Sequence, residues 1–177
     1  MLIERLDVFT PFAIRKLTVD DAREVFLLEK EHEDFQQLFK TGPLTQEDVE
    51  RDFTVLPEQG SREQKFDLGF YQDGKLAAFA DLQLGYPNPQ TIWLGTLMVV
   101  KDHLREKIGS RIIAGLKQAG IREGYKVIAL ANPVENTGAE AFLKQAGFAP
   151  LGVQEVLPRA DAPAKIKVRI WLAALEK

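Results

Sequence analysis

TIWLGTLMVVKDHLREKIGSRIIAGLKQAG, residues Thr91–Gly120, changes hydrophobic period part-way along. Ile92 to Val100 is rich in apolar and β-branched residues and predicts a buried strand, whereas Ile108, Ile112, Ile113, Leu116 and Ala119 recur at helical spacing. A basic turn, carrying Gly109 and Ser110, joins the two. A strand that enters a helix through a tight turn aims unpaired N–H groups and the positive end of the helix dipole at the space before the helix. That space suits a phosphate.

Toward the carboxyl terminus, Lys126 to Ala131 predicts a further apolar strand. Strand, helix and strand without a hairpin imply a right-handed parallel crossover. Asn132-Pro133 is read as a turn, and Thr137 with Glu140 as a capping box that opens a short helix through Ala139, Phe142, Leu143 and Ala146. Gly147 is placed to stop that helix in the left-handed conformation. Leu151–Val156 and Ile166–Leu172 predict two strands around a loop at Pro158–Pro163. In the second, Lys165, Lys167 and Arg169 alternate with Ile166, Val168 and Ile170, as in a sheet with one wet face.

Toward the amino terminus, Tyr86–Gln90 breaks the chain before the central strand. Leu76–Leu84 and the alternating Phe66, Leu68 and Phe70 flank Asp73-Gly74, a strong hairpin signal, so three strands form an antiparallel meander. A helix is predicted from Thr45 through Val49, Phe53 and Leu56 to Pro57. Another follows the acidic box of Thr18 and Asp21, with Val25, Phe26 and Leu28 on its buried side, and Phe12–Leu17 supplies a first strand. The fold class is α/β with a mixed sheet, and no repeat or composition break divides the chain, which predicts a single domain over residues 1–177.

A net charge of −3 argues against a nucleic-acid surface, which needs clustered cations. The absence of cysteine removes thiol nucleophiles, disulfides and thiolate metal sites and fits a cytoplasmic protein. No apolar run reaches membrane-spanning length, and the charged MLIERLDVF does not read as an export signal. The phosphate motif G-x-x-x-x-G-K-[ST], the dinucleotide motif G-x-G-x-x-G and the nucleophile elbow G-x-S-x-G are all absent. His32 and His103 lie in different elements without metal-site spacing and read as solvent-exposed. Glu29, Glu31, Glu33 and Asp34 form an acidic patch, read as solvated surface, with attraction of a cationic substrate as the alternative. Asp81 stands inside an otherwise apolar strand, where a carboxylate must be paired, raised in pKa or functional. Pairing to a nearby arginine or backbone donor and service as a base are both open.

The elements and two motifs together resemble the GNAT superfamily of acyl-CoA-dependent N-acyltransferases. The family's pyrophosphate loop reads [QR]-x-x-G-x-[GA]. Here Leu104 and Lys107 stand at its first and fourth positions, while Gly109 keeps the last and Ser110 follows. Arg105 and Lys107 supply direct charge in place of the missing residues. In the second motif Asn136, Ala139, Phe142, Gly147 and Phe148 keep the family's spacing.

The resemblance implies acetyl-CoA as cofactor and transfer to a primary amine, a small molecule or amino-acid derivative, with no nucleic acid or membrane partner. It also allows a homodimer. Met98, Val99 and Val100 would line the pantetheine, and the Val99 N–H would polarise the thioester carbonyl. Arg105, Glu106, Lys107, Ile108, Gly109 and Ser110 would hold the pyrophosphate, and Asn136, Ala139 and Phe142 would complete the cofactor wall. Asp81 is the candidate base, Tyr86 and Trp93 candidate acceptor contacts, and Leu143 occupies the place of the family's frequent acid tyrosine. The alternative is a non-catalytic acyl-CoA-binding or protein-interaction module on the same fold.

Overall fold

The computed structural model of the protein describes residues 1–39, 42–157 and 164–176, with 103–105 described by their backbone alone. Strands β1 (Ala13–Lys16), β2 (Lys65–Gln72), β3 (Lys75–Leu84), β4 (Thr91–Val99), β5 (Val127–Pro133), β6 (Ala149–Val156) and β7 (Ile166–Ala174) form one sheet in the order β1-β2-β3-β4-β5-β7-β6. Every neighbouring pair is antiparallel except β4 and β5. Helices α1 (Leu2–Phe9), α5 (Ile108–Glu123) and α6 (Gly138–Gln145) cover one face. On the other lie α2 (Ala22–Lys30), α3 (Glu33–Gln36) and α4 (Gln46–Asp52), packed through Val25, Leu28 and Val49 on Phe79 and Met98. No helix of the described residues is long and apolar enough to cross a membrane.

The expected meander and crossover are present. Asp73 and Gly74 both take positive φ, 52° and 78°, which matches the twist of the β2–β3 hairpin. Gly124 and Gly147 end α5 and α6 at φ 90° and 89°. Thr45 and Asp48 form a complete capping box, but α4 stops at Asp52, short of Pro57. The segment before β1 forms α1, whose charges at Glu4, Arg5 and Asp7 fall outside while Leu2 and Leu6 are buried. Gly115 admits α1 against α5, since a Cβ there would lie 2.4 Å from Thr10 Cγ2 and 3.0 Å from the Phe9 carbonyl oxygen.

Three local expectations change. The chain does not turn at Asn132-Pro133, because β5 runs on through Pro133 opposite Val168. The N–H of Val134 donates to Lys167, so Pro133's missing N–H falls on the opposite edge of β5, away from the β7 ladder. The capping box at Thr137 does not form, since Thr137 has helical angles and no side-chain cap, and Glu140 pairs with Arg169 at 2.8 Å. On β7, Val168 is buried as expected, yet the face shared by Arg169 also carries fully buried Trp171 and Ala173. Helices α5 and α6 cover that face at this end of the strand, while on the other face Ile170 and Leu172 are half-buried and Ala174 is exposed. The predicted loop at Pro158–Pro163 lies outside the described residues.

Candidate active site

Strands β4 and β5 pair only where Thr91, Ile92 and Trp93 face Val127, Ile128 and Ala129. Beyond Trp93, β4 stays with β3 and β5 with β7, so a wedge opens between them. The N–H of Val100 donates to the Ala77 carbonyl at 3.0 Å, which turns the N–H and C=O of Val99 toward the opposite, wedge-side edge. A cleft of about 1140 Å³ runs through this opening.

At one end the cleft meets the start of α5. Lys107 sits before the helix at φ 57°, a left-handed conformation suited to glycine. No side chain caps the helix and no acidic residue stands in its first turn, so the N–H groups of Ile108, Gly109 and Ser110 face outward beside the dipole's positive end. Lys107, Gly109 and Ser110 line the cleft here, opposite Asn136, Ala139 and Phe142. The left-handed conformation costs a non-glycine residue about 1–2 kcal/mol. Lys107→Gly should therefore raise the melting temperature by roughly 2–4 °C, read by differential scanning fluorimetry.

At the other end three charged groups meet. Asp67 and Asp81 are cross-strand partners on β2 and β3, and Lys65 Nζ donates to both, at 3.2 and 2.9 Å. The Lys65 side chain is only 5% exposed, and Asp81 is the more open carboxylate at 31%. Gly95 forms a β-bulge opposite this pair, and a Cβ on it would lie 2.9 Å from Asp81 Oδ2. The bulge thus leaves room for the Asp81 carboxylate against β4.

Burial pushes the Asp67 carboxyl up to about 6, Lys65 opposing the rise and Asp81 adding to it. Burial works against the Lys65 ammonium, yet the two carboxylates hold its pKa above the ordinary range. A carboxyl raised on folding binds its proton more tightly in the native state. The stability this contributes is present below pH 3.8 and is lost as pH rises through about 6. Asp67→Asn should flatten that fall, by on the order of 3 kcal/mol, as measured by urea denaturation at a series of pH values.

The model of the acetyltransferase (GNAT) family matches residues 24–148, a span that holds both the wedge and the α5 turn. The chain belongs to that family. An acetyltransferase from Thermus thermophilus is similar at TM-score 0.71 and 19% identity, covering 94% of this chain and 99% of that one. The ribosomal-protein-S18-alanine N-acetyltransferase of Escherichia coli is similar at 0.64 and 20%, covering 93% and 94%. An N-acetyltransferase from Staphylococcus aureus follows at 0.65 and 15%, covering 93% and 98%. At such identities the likeness to the solved structures is one of fold. A sequence search of curated proteins returned no match.

Of the residues singled out in the sequence, Met98, Val99, Lys107, Gly109, Ser110, Asn136, Ala139, Phe142 and Asp81 line one cleft. Gly109 and Ser110 lie in the first turn of α5 rather than in the preceding turn. Ile108 instead packs into the main core, Val100 joins the smaller core beside Met98, and Glu106 is exposed. The side chains of His103, Leu104 and Arg105 lie outside the description. Asn136 Nδ2 donates to Asn132 Oδ1 at 2.9 Å and braces the chain beyond β5. Trp93 and Tyr86 meet edge to face on the cleft wall, 5.6 Å between ring centres.

Three contributors were not singled out from the sequence. Asp67 and Lys65 read as the wet side of an alternating strand, and only their pairing with Asp81 distinguishes them. His32 is half-buried, lines the cleft and donates from Nε2 to the Val99 carbonyl at 2.7 Å. Glu31 accepts the Lys101 N–H at 2.9 Å, and Glu29 is buried on the cleft wall, so the acidic patch divides between docking, cleft and solvent.

Proposed function

We propose that the protein is an acyl-CoA-dependent N-acetyltransferase, a single domain over residues 1–177, that acts on a small primary amine in the cytoplasm. The observation that carries this reading is the shared cleft. It joins an uncapped helix N-terminus, a backbone N–H directed into a sheet wedge and a carboxylate pair held by a buried lysine. Acetyl-CoA supplies an acyl group activated as a thioester.

The residues fit that donor. The first turn of α5 offers N–H groups to a pyrophosphate, and Lys107 adds a charge. The wedge beside Met98 and Val99 leaves backbone groups for the pantetheine amides, and Asn136, Ala139 and Phe142 wall the passage. The Val99 N–H would be the donor for a thioester oxygen on which charge grows, an interaction worth about 3–4 kcal/mol of barrier. Asp81, oriented by Lys65, would accept the proton that the acceptor ammonium loses to become the attacking neutral amine. A thiol of ordinary acidity leaves readily, so Leu143 in the place of an acid tyrosine is compatible with turnover.

Titration with acetyl-CoA tests the donor site. At a hundredfold excess over the dissociation constant, stabilisation should reach about 2.7 kcal/mol. Thiol release with a panel of amines then tests transfer. No thermal shift at millimolar acetyl-CoA would refute the donor assignment, and stabilisation without thiol release would refute turnover.

A further inference from the structure

The acceptor end of the cleft is both acidic and aromatic. Glu29, Asp52, Glu58, Asp67 and Asp81 contribute carboxylates to its lining, and Phe35, Phe39, Phe53, Tyr86 and Trp93 contribute rings. Among the described residues the ammonium lining this end is Lys65, and it is already shared between Asp67 and Asp81. Lys107 lies at the far end, beside α5. His32 is engaged with the Val99 carbonyl.

A second observation concerns Gln83. Its side chain is buried on the cleft floor, with the residue 3% exposed, and its Nε2 donates to the Ser61 carbonyl at 2.8 Å. That bond fixes which way the amide points. Its Oε1 is buried and has no hydrogen-bond partner among the described residues. An unpaired carbonyl oxygen two residues from Asp81 on β3 adds to the negative potential around the carboxylate pair.

We propose that the acceptor is an amine with an apolar or aromatic body that enters as an ammonium cation and carries no carboxylate. This rests on reading the cleft as an acyl-acceptor site. An ammonium meets the net negative charge of the Lys65–Asp67–Asp81 cluster, and its N–H groups find an acceptor in the Asp81 carboxylate, the more open of the two. The rings give the body its apolar contact and offer faces to the cation. A free amino acid would bring a second anion into a space whose ammonium is committed, leaving that charge desolvated and unpaired.

Matched pairs test this: phenethylamine against phenylalanine, and pentylamine against norleucine. With the full-length protein saturated with CoA, calorimetry should show each amine binding at least about tenfold tighter than its amino acid. Equal or tighter binding of the amino acids would overturn the proposal, as would failure of both members of each pair to bind. Glu58→Lys, on an exposed loop, should reduce the preference by about two- to fivefold; an unchanged ratio counts against an electrostatic origin. Thiol release with acetyl-CoA is followed in parallel. Its absence alongside a calorimetric preference would refute acetyl transfer while supporting the acceptor class.

Discussion

Asp81→Asn should lower kcat by roughly 10²–10⁴-fold and leave the dissociation constant for acetyl-CoA unchanged. The amide keeps the shape of the carboxylate and can still accept from Lys65 Nζ, which lies 2.9 Å from Oδ1 in the native protein. Its loss is the capacity to take a proton. Asp67 remains as a second carboxylate on the same ammonium, but it is the more buried of the two, so it serves as a poor substitute at the open face. Residual activity should climb with pH as the free-base fraction of the amine grows. Circular dichroism and acetyl-CoA titration confirm that the variant is folded and loaded. Wild-type turnover at every pH in such a protein would remove Asp81 from the chemistry.

Gly109→Val should weaken acetyl-CoA binding by up to about a hundredfold, equivalent to the roughly 1–3 kcal/mol that overfilling a packed site costs. A Cβ on Gly109 would lie 3.3 Å from Phe142 Cζ and 3.7 Å from Val99 Cγ2. The methyl groups beyond it would press into the cleft between the α5 turn and the end of β4. Gly109→Ala should do less, since its one carbon needs only a small shift of the Phe142 ring. Calorimetry separates the two variants, and unchanged affinity in Gly109→Val would place the acyl donor elsewhere.

The frame of the fold was legible because period changes, turn residues and helix stops are local signals. Ile92–Val100 to Ile108, Asp73-Gly74 and Gly147 all belong to this class. The end of the cleft beside α5 followed from them. The Lys65–Asp67–Asp81 end was hidden by irregularities of the sheet. Counted from the Asp73-Gly74 turn without interruption, Asp67 would face Ala80. A bulge near Ala77 shifts the register by one, so that Phe70 meets Ala78 and Asp67 meets Asp81. The bulge at Gly95 does the same on β4. Neither has a side-chain signature strong enough to place it. His32 was obscured for another reason: its contact with Val99 spans 67 positions of chain.

The short run of pairing between β4 and β5 makes the sheet two leaves bound along a narrow spine, β1 to β4 on one side and β5 to β7 on the other. Strands β2, β3 and β7 are flanked by neighbours on both sides, whereas the edges bordering the wedge can open without unfolding the rest. A guest bearing amide groups between the leaves supplies the missing rungs. Amides of Leu97 to Val99 and of Leu130 to Asn132 should then pass from local to global exchange behaviour as the guest binds. An acetyl donor seated there would act as an eighth strand, and its binding would finish a sheet that the chain alone leaves divided.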